Sequence, residues 1–343
     1  MLNAPPIRFG LVGTGAIARS HAAALGAVPN ASLIGVADVN SDAAKAFGDE
    51  HGCASFGSLR DLLAAVPVDA LIVCTPPDTH CDLVLEAVAA GVHVLCEKPL
   101  ALDLEQARTM LEAAAEAGVV LTMATKFRYV SDVLKAQNMI RLGVLGEILH
   151  VSNQFKSPVD MSARWNADPR RSGGGVLIDN GTHSVDIVRY LLGPIESIAA
   201  EEGPRPHGLA VDENVHLSLV CAGGVPASID LSWTEQSQSP YYIEINGTRG
   251  RIGIGWKESV YTLANDGVLR PFGPGYDKIA AFAGQLRNVV DVLCGSATVE
   301  VGHADALASV AAISSAYEAL RSGRTVAVER APLHARSGLA VVS

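Results

Sequence analysis

Four groups of residues in this chain are of types and spacings that can do chemistry, and they occur in a fixed order. Gly13-Thr14-Gly15-Ala16-Ile17-Ala18 follows the first apolar run, and Asp38 ends the second. Glu97-Lys98-Pro99 ends a later run, and Asp179-Asn180-Gly181-Thr182-His183 lies in the second half. The first two groups describe a dinucleotide site. Gly13 permits a tight turn, and Gly15 removes a side chain where a pyrophosphate must approach the backbone. Ala18 keeps the next helix close to the sheet. The free N–H groups at the helix start, at Ala16 and Ile17, face the phosphates. Gly-x-Gly alone is a weak signal. Here it follows a strand, opens a helix and precedes a strand ending in an acid at nearly the expected distance. Asp38 is placed to accept hydrogen bonds from the adenosine ribose and to repel a 2′-phosphate. NAD is therefore favoured and NADP is the alternative. Asn40 brings no charge to offset the repulsion, whereas Arg19 or Lys45 would do so if either reached the site.

The last two groups carry titratable side chains suited to redox chemistry at a hydroxyl-bearing carbon. Lys98 follows a buried strand on the same edge as the glycine turn. Its ammonium can donate to a substrate hydroxyl and stabilise negative charge as a hydride leaves. Glu97 either orients that lysine or contacts a ribose, and Pro99 restricts Lys98 to an extended geometry. Thr75-Pro76-Pro77 follows another strand and is expected to pass under the cofactor ribose, proline stiffening the crossing. His80 is placed with these cofactor residues, although a helix cap or a packing role fits it equally. Asp179 and His183 are four apart and share one helical face. An imidazole there can shuttle a proton near neutral pH, and the acid can bind a neighbouring hydroxyl. Gly181, between them, is expected to clear the ligand's path. Asp186 continues the polar face. His80, Cys81, His93 and Cys96 do not form a metal cluster, because 93 and 96 point to opposite faces of a strand. No metal is expected.

These groups need elements to hold them. Apolar strands at 7–12, 32–38, 70–74, 92–96 and 119–124 alternate with helices at 16–25, 41–47, 58–65, 83–90 and 104–117, with Ser41 as the cap of the second helix. That alternation predicts a parallel sheet with helices on both faces. From residue 126 the pattern changes. A helix at 177–192 is followed by strands at 211–220, 225–234, 241–246 and 251–256, with Gly223-Gly224 and Asn246-Gly247 as turns. Helices at 278–293 and 305–320 and a short strand at 325–328 follow. The last dozen residues carry little pattern and are expected to fray. The fold class is α/β: a Rossmann domain over 1–125, then an α/β domain over 126–335 on a large, mainly antiparallel open sheet.

Composition sets the outer bounds. A chain of 343 residues, 49% apolar, can build more than one core. The formal charge of -10 argues against a nucleic-acid or anionic-membrane partner. Six scattered cysteines do not resemble a secreted disulfide framework. The N-terminus lacks a signal-peptide pattern, and no apolar run is long enough to span a bilayer. A cytoplasmic location is expected.

Taken together, the Gly13–Ala18 turn, Glu97-Lys98-Pro99, Gly173-Gly174-Gly175 and Asp179–His183 resemble the Gfo/Idh/MocA oxidoreductase family over nearly the whole chain. The glycine turn is not specific; the Glu-Lys-Pro step in this order is more so. The resemblance implies a Rossmann domain followed by a domain whose open sheet makes a homodimer or homotetramer interface. It implies that Lys98 matches the family's lysine, His183 its histidine and Asp179 the acid before it. It also implies a cis peptide before Pro99. Arg128, at the crossover into the second domain, either binds substrate or joins the domains. Trp165, Asn166 and Arg170 line the variable part of the substrate pocket. The implied activity is hydride transfer between NAD(H) and a secondary hydroxyl or keto carbon of a sugar, cyclitol or related polyol. The alternatives are NAD-dependent glycoside cleavage or epimerisation with transient oxidation, and an NAD-bound sensor without activity.

Overall fold

The apolar stretch Ala70–Val73 is fully buried along its whole length, which only a strand covered on both faces allows. It is the fourth strand (β4) of a six-stranded parallel sheet in a computed structural model that describes residues 5–329. The other strands are β1 (Ile7–Val12), β2 (Ala31–Ala37), β3 (Ala54–Phe56), β5 (His93–Glu97) and β6 (Leu121–Ala124). They lie in the order β3-β2-β1-β4-β5-β6. Between them run α1 (Ala16–Leu25), α2 (Ser41–His51), α3 (Leu59–Ala65), α4 (His80–Ala89) and α5 (Leu104–Ala117). The second helix is capped by Asn40, whose side chain accepts from the Ala43 N–H, and not by Ser41. An Asn at this position satisfies a donor that the helix itself leaves unpaired.

The described residues cluster into two units. The first runs to Lys126 and takes in Lys278–Leu307; the second takes in Phe127–Asp277 and continues from Ala308. Residues 278–307, which the sequence pattern places in the second domain, thus belong with the nucleotide-binding fold. The reason is apolar: Phe282, Ala283, Leu286, Val289 and Val290 share one buried cluster with Phe9, Leu11, Ala18, Ala22 and Leu25. The last dozen residues lie outside the described residues, as does the end of the domain predicted to close at 335.

The second unit is built on nine strands: β7 (Ile148–Lys156), β8 (Ile195–Glu202), β9 (Asn214–Cys221), β10 (Val225–Ser232), β11 (Tyr241–Gly247), β12 (Gly250–Gly255), β13 (Ser259–Leu263), β14 (Arg270–Gly273) and β15 (Val326–Ala327). Their order is β14-β13-β12-β11-β7-β10-β9-β8-β15, antiparallel throughout except for β7 against β10. Three helices complete the set: α6 (Ser131–Arg141), α7 (Pro169–Ser172) and α8 (Val176–Leu192), before α9 (Lys278–Leu293) and α10 (His303–Ser322). Alternation along the strands puts Val151, Leu217, Leu219, Ile229 and Leu231 in the core and Gln154, His216, Ser218 and Asp230 on the opposite, more exposed face. The turn expected at Asn246-Gly247 falls two residues later, since Gly247 pairs with Gly250. Gly247 serves close packing instead: a Cβ there would stand 2.3 Å from the Leu145 carbonyl oxygen.

One buried carboxylate fixes the start of α8. Asp212 is 4% exposed and accepts from Gly175 N at 2.9 Å, Leu177 N at 2.7 Å and Tyr317 Oη at 3.0 Å. A Cβ at Gly175 would stand 1.9 Å from the Asp212 carbonyl oxygen, so the glycine loop is a condition of this cap. Replacing Asp212 by Ala strands two buried N–H donors and the partly buried Tyr317 hydroxyl and should cost about 3 kcal/mol, with Asp212→Asn intermediate. Urea unfolding measures this; an unchanged midpoint for Asp212→Ala would refute the cap.

Candidate active site

Strand order reverses beside β1, and the loops after β1, β4 and β5 therefore gather at the carboxyl edge of the sheet. Gly13 turns with φ +85°, a conformation costly for other residues, and its N–H donates to the Ala37 carbonyl at 2.8 Å. A Cβ on Gly13 would strike Thr75 Cγ2 at 2.8 Å and the Cys74 carbonyl at 2.9 Å. Gly15 differs. It takes the N-cap position of α1 with ordinary φ, makes no side-chain cap, and has nothing within 4 Å of where its Cβ would stand. The N–H groups of Ala16 and Ile17 open the helix beside this space. Open space at a helix start is what a pyrophosphate requires, so the residues present fit a dinucleotide.

Asp38 sits where a ribose would be read, but much of its acceptor capacity is already engaged. One oxygen accepts from Thr14 N at 2.7 Å and Thr14 Oγ1 at 2.9 Å; the other accepts from Asn40 N at 2.9 Å. The second oxygen keeps an acceptor site for a hydroxyl. The nearby cations have carboxylate partners: Arg19 bonds Glu50 and lies over the Phe47 ring, and Lys45 bonds Asp49 at 2.8 Å.

Thr75, Pro76 and Pro77 follow β4 and lead into a short 3-10 turn, Pro77–Thr79, held by Thr79 Oγ1 donating to the Pro76 carbonyl at 2.8 Å. His80 is fully buried, with Nδ1 2.9 Å from the Pro99 carbonyl oxygen and Nε2 2.9 Å from that of Thr75. Burial pushes its pKa below the histidine range against those two carbonyls, which favour the charged ring. Held neutral, the ring donates to one of these carbonyls at a time; buried between the Thr75 and Pro99 loops, His80 packs them together, which corrects its placement among groups touching the cofactor. Pro99 follows a cis peptide, as the resemblance implies.

Glu97 ends β5, and Lys98 follows it. The carboxylate is 7% exposed; Oε2 accepts from the Lys98 N–H at 3.1 Å, and Oε1 lies 2.8 Å from Nε2 of His21. Burial alone would push Glu97 up. The His21 bond and the charges of His21, Lys126 and Lys98 outweigh it and hold the group below the usual carboxylate range. Sequence reasoning missed His21. The signal that could have found it is an imidazole on the inward face of α1, three residues from Ala18 and four from Leu25.

In the second unit, α8 carries Asp179 in its first turn and His183 one turn on, the latter 7% exposed. The His183 ring stands edge-on to Phe127 at 5.1 Å, and Phe127 stacks on Tyr276 at the same distance. Trp256, 43% exposed, contacts both Phe127 and Tyr276. His183 thus sits at the edge of an aromatic wall. Gly181 does not clear a ligand path: its Cβ would lie 3.1 Å from Leu177 and Leu231, on the side of α8 packed against the sheet. Residues two apart on a helix face nearly opposite ways, which the four-residue spacing of Asp179 and His183 obscures. Trp165 and Asn166 form the 3-10 turn Trp165–Ala167, with Trp165 37% exposed, and Arg170 is exposed beside Asp168 at 3.4 Å.

Arg128 is 4% exposed and bonds Asp186 through Nε at 3.0 Å and Nη2 at 2.6 Å, its guanidinium over the Tyr190 ring. Of the two roles left open for it, substrate binding loses its geometric basis: the guanidinium braces α8 one turn beyond His183. Truncating one partner of a buried pair costs about 3–5 kcal/mol, whereas replacing both by apolar groups is often neutral. Arg128→Met should therefore lower the melting temperature sharply, and Arg128→Met with Asp186→Leu should recover most of it. An unchanged melting temperature for the single variant would return Arg128 to the ligand.

Residues 7–125 match the NAD-binding Rossmann domain of the Gfo/Idh/MocA oxidoreductase family, and residues 133–253 match that family's C-terminal domain. The inositol 2-dehydrogenase of Rhizobium meliloti is 28% identical over 94% of this chain and 99% of its own length. The 2,7-anhydro-N-acetylneuraminate hydratase of Escherichia coli is 30% identical over 78% of this chain and 72% of its own. A levoglucosan dehydrogenase solved with NADH and levoglucosan shares the fold, with a TM-score of 0.88 at 21% identity over 95% of this chain and 100% of that one. The fold and the glycine cradle define an oxidoreductase with an NAD-binding Rossmann domain. The chain belongs to the Gfo/Idh/MocA oxidoreductase family.

The two glycines separate fold from ligand. Gly13→Ala should lower both melting temperature and NADH affinity, since its backbone conformation alone costs about 1–2 kcal/mol. Gly15→Val should leave the melting temperature within about 3 °C and weaken NADH binding at least about 10-fold. Thermal unfolding and calorimetric titration check both; full NADH affinity in Gly15→Val would remove the phosphates from this turn.

Proposed function

We propose that the chain transfers a hydride between NAD(H) and a secondary hydroxyl or keto carbon of a sugar or cyclitol. The observation that carries this is the gathering of the open Gly15 cradle and Glu97-Lys98-Pro99 at the carboxyl edge of one sheet. A helix bearing Asp179 and His183 one turn apart supports it, as does the likeness to an inositol dehydrogenase. When bound, the nicotinamide accepts or delivers the hydride. In the oxidative direction His183 takes the hydroxyl proton as the carbonyl forms. The Lys98 ammonium donates to the same oxygen and stabilises its developing charge. Asp179 accepts from a neighbouring hydroxyl and orients the ring. Trp165 and Asn166 line the variable part of the pocket.

NAD is favoured over NADP on the position of Asp38 and on the carboxylate partners of Arg19 and Lys45. Six free cysteines support a cytoplasmic location, and no helix among the described residues is long and apolar enough to cross a membrane. A homodimer or homotetramer over the polar face of the nine-stranded sheet belongs to the same reading. The likeness to a hydratase favours one second reading, in which oxidation is transient and the cofactor is regenerated within each turnover.

The test is a sugar and cyclitol screen with NAD and NADP, following NADH and product together. Stoichiometric NADH is expected; product without NADH would move the assignment to transient oxidation. With the substrate found, Lys98→Met and His183→Ala should each lower kcat by roughly 100-fold or more while NADH affinity holds within about 3-fold. Unchanged turnover in both variants would overturn the roles.

A further inference from the structure

The first unit holds a buried titratable pair that the proposed reaction leaves unused. His21 is fully buried on α1, and its Nε2 stands 2.8 Å from Oε1 of Glu97. Its other nitrogen, Nδ1, is buried without a hydrogen-bond partner, and Phe282 meets the ring edge-on at 4.6 Å. A buried nitrogen left unpaired is a cost, so the ring is not placed there for packing alone. The donor in the pair is the imidazole, because an ionised carboxylate only accepts. Glu97 passes the constraint on: its second oxygen accepts from the Lys98 N–H at 3.1 Å. A chain of two hydrogen bonds thus runs from the helix opened by the Gly15 cradle to the backbone of Lys98.

We propose that His21 is a positioning residue for Lys98. By donating to Oε1 it fixes the Glu97 carboxylate, and Oε2 of that carboxylate then holds the Lys98 backbone in register with α1. A hydrocarbon ring at position 21 would fill the space and leave Glu97 free to rotate. This inference rests on the reading of Lys98 as a reacting residue, but its geometric part stands apart from activity.

The experiment compares the full-length wild type with His21→Phe, which keeps the ring and loses the donor, and His21→Gln, whose Nε2 restores a donor at nearly the same place. Two readouts are taken: hydrogen exchange at the Lys98 amide, and kcat with KM for the substrate identified in the screen. His21→Phe should speed Lys98 exchange at least about 10-fold, because the bond to the anchored carboxylate is lost. It should lower kcat by about 10-fold with NADH affinity within about 3-fold, and His21→Gln should recover most of both effects. Exchange at the wild-type rate in His21→Phe overturns the proposal. So does a folded His21→Gln that exchanges as fast as His21→Phe, since that would make the effect one of packing. If His21→Phe does not fold, His21→Gln decides alone: wild-type exchange supports the donor role, and fast exchange ends it. If the wild type turns over no sugar or cyclitol, the proposed function fails, and Lys98 exchange still decides the positioning.

Discussion

The reversal of strand order beside β1 is the constraint on which the cofactor half of the site depends. Right-handed crossovers carry the chain one way from β1 to β2 and β3 and the other way to β4, β5 and β6. Helices on opposite faces then part at the switch, and the loops after β1, β4 and β5 are left together at one edge. That geometry brings residues 13–15, 75–77 and 97–99 to a common edge although more than 80 positions separate the first from the last. Small residues make the meeting close. Gly13 packs against Thr75 and the Cys74 carbonyl at distances no side chain allows. His80 sits against the carbonyls of both the Thr75 and Pro99 loops, and Glu97 bonds His21 on α1.

The second unit solves a different problem, that of holding one helix steady. Its α8 has no side-chain cap of its own at Gly175. A carboxylate from elsewhere in the chain, Asp212, supplies the missing acceptors, and the ion pair of Asp186 with Arg128 braces the helix further along. Between these two anchors lie Asp179 and His183. Each anchor is a buried carboxylate with its hydrogen-bond partners in place, so the penalty of an unpaired buried group is avoided. Two such anchors hold the directions of the side chains on the helix between them.

Much of the first unit was legible in the sequence, because parallel strands buried on both faces read as unbroken apolar runs. The strand at 70–73 announces itself in this way, and that at 7–12 does so beyond Arg8. The central strand of the second sheet, β7, did not. Its inward face carries a polar residue, Asn153, between Ser152 and Gln154, which breaks the alternation, and it has no Gly or Pro punctuation of its own. The candidate chemical residues were chosen by type and spacing, which say nothing of their partners. Arg128 reads as a free cation until Asp186, 58 positions away, is seen to hold it. Asp212 and His21 act through bonds to backbone and to a carboxylate far along the chain, which no local window displays. Gly181 shows the converse error: proximity to two chemical residues in sequence says nothing of the face a helical position takes.

Cofactor selection shows how such second partners alter a motif's meaning. An acid at the end of β2 is usually read as a ribose ligand alone. Here Asp38 also fixes the glycine turn, since one of its oxygens takes both the N–H and the hydroxyl of Thr14. Removing the carboxylate would therefore disturb the phosphate cradle as well as the ribose contact. A change to Ala that relieves repulsion of a 2′-phosphate would also remove the acceptor of both Thr14 bonds, whereas Asn keeps one oxygen to accept them. Any redesign that favours a 2′-phosphate therefore needs two things together: a cation near Asn40, and an acceptor that keeps Thr14 in place. The carboxylate that carries the charge at the end of β2 is thus also the group that fastens the glycine turn.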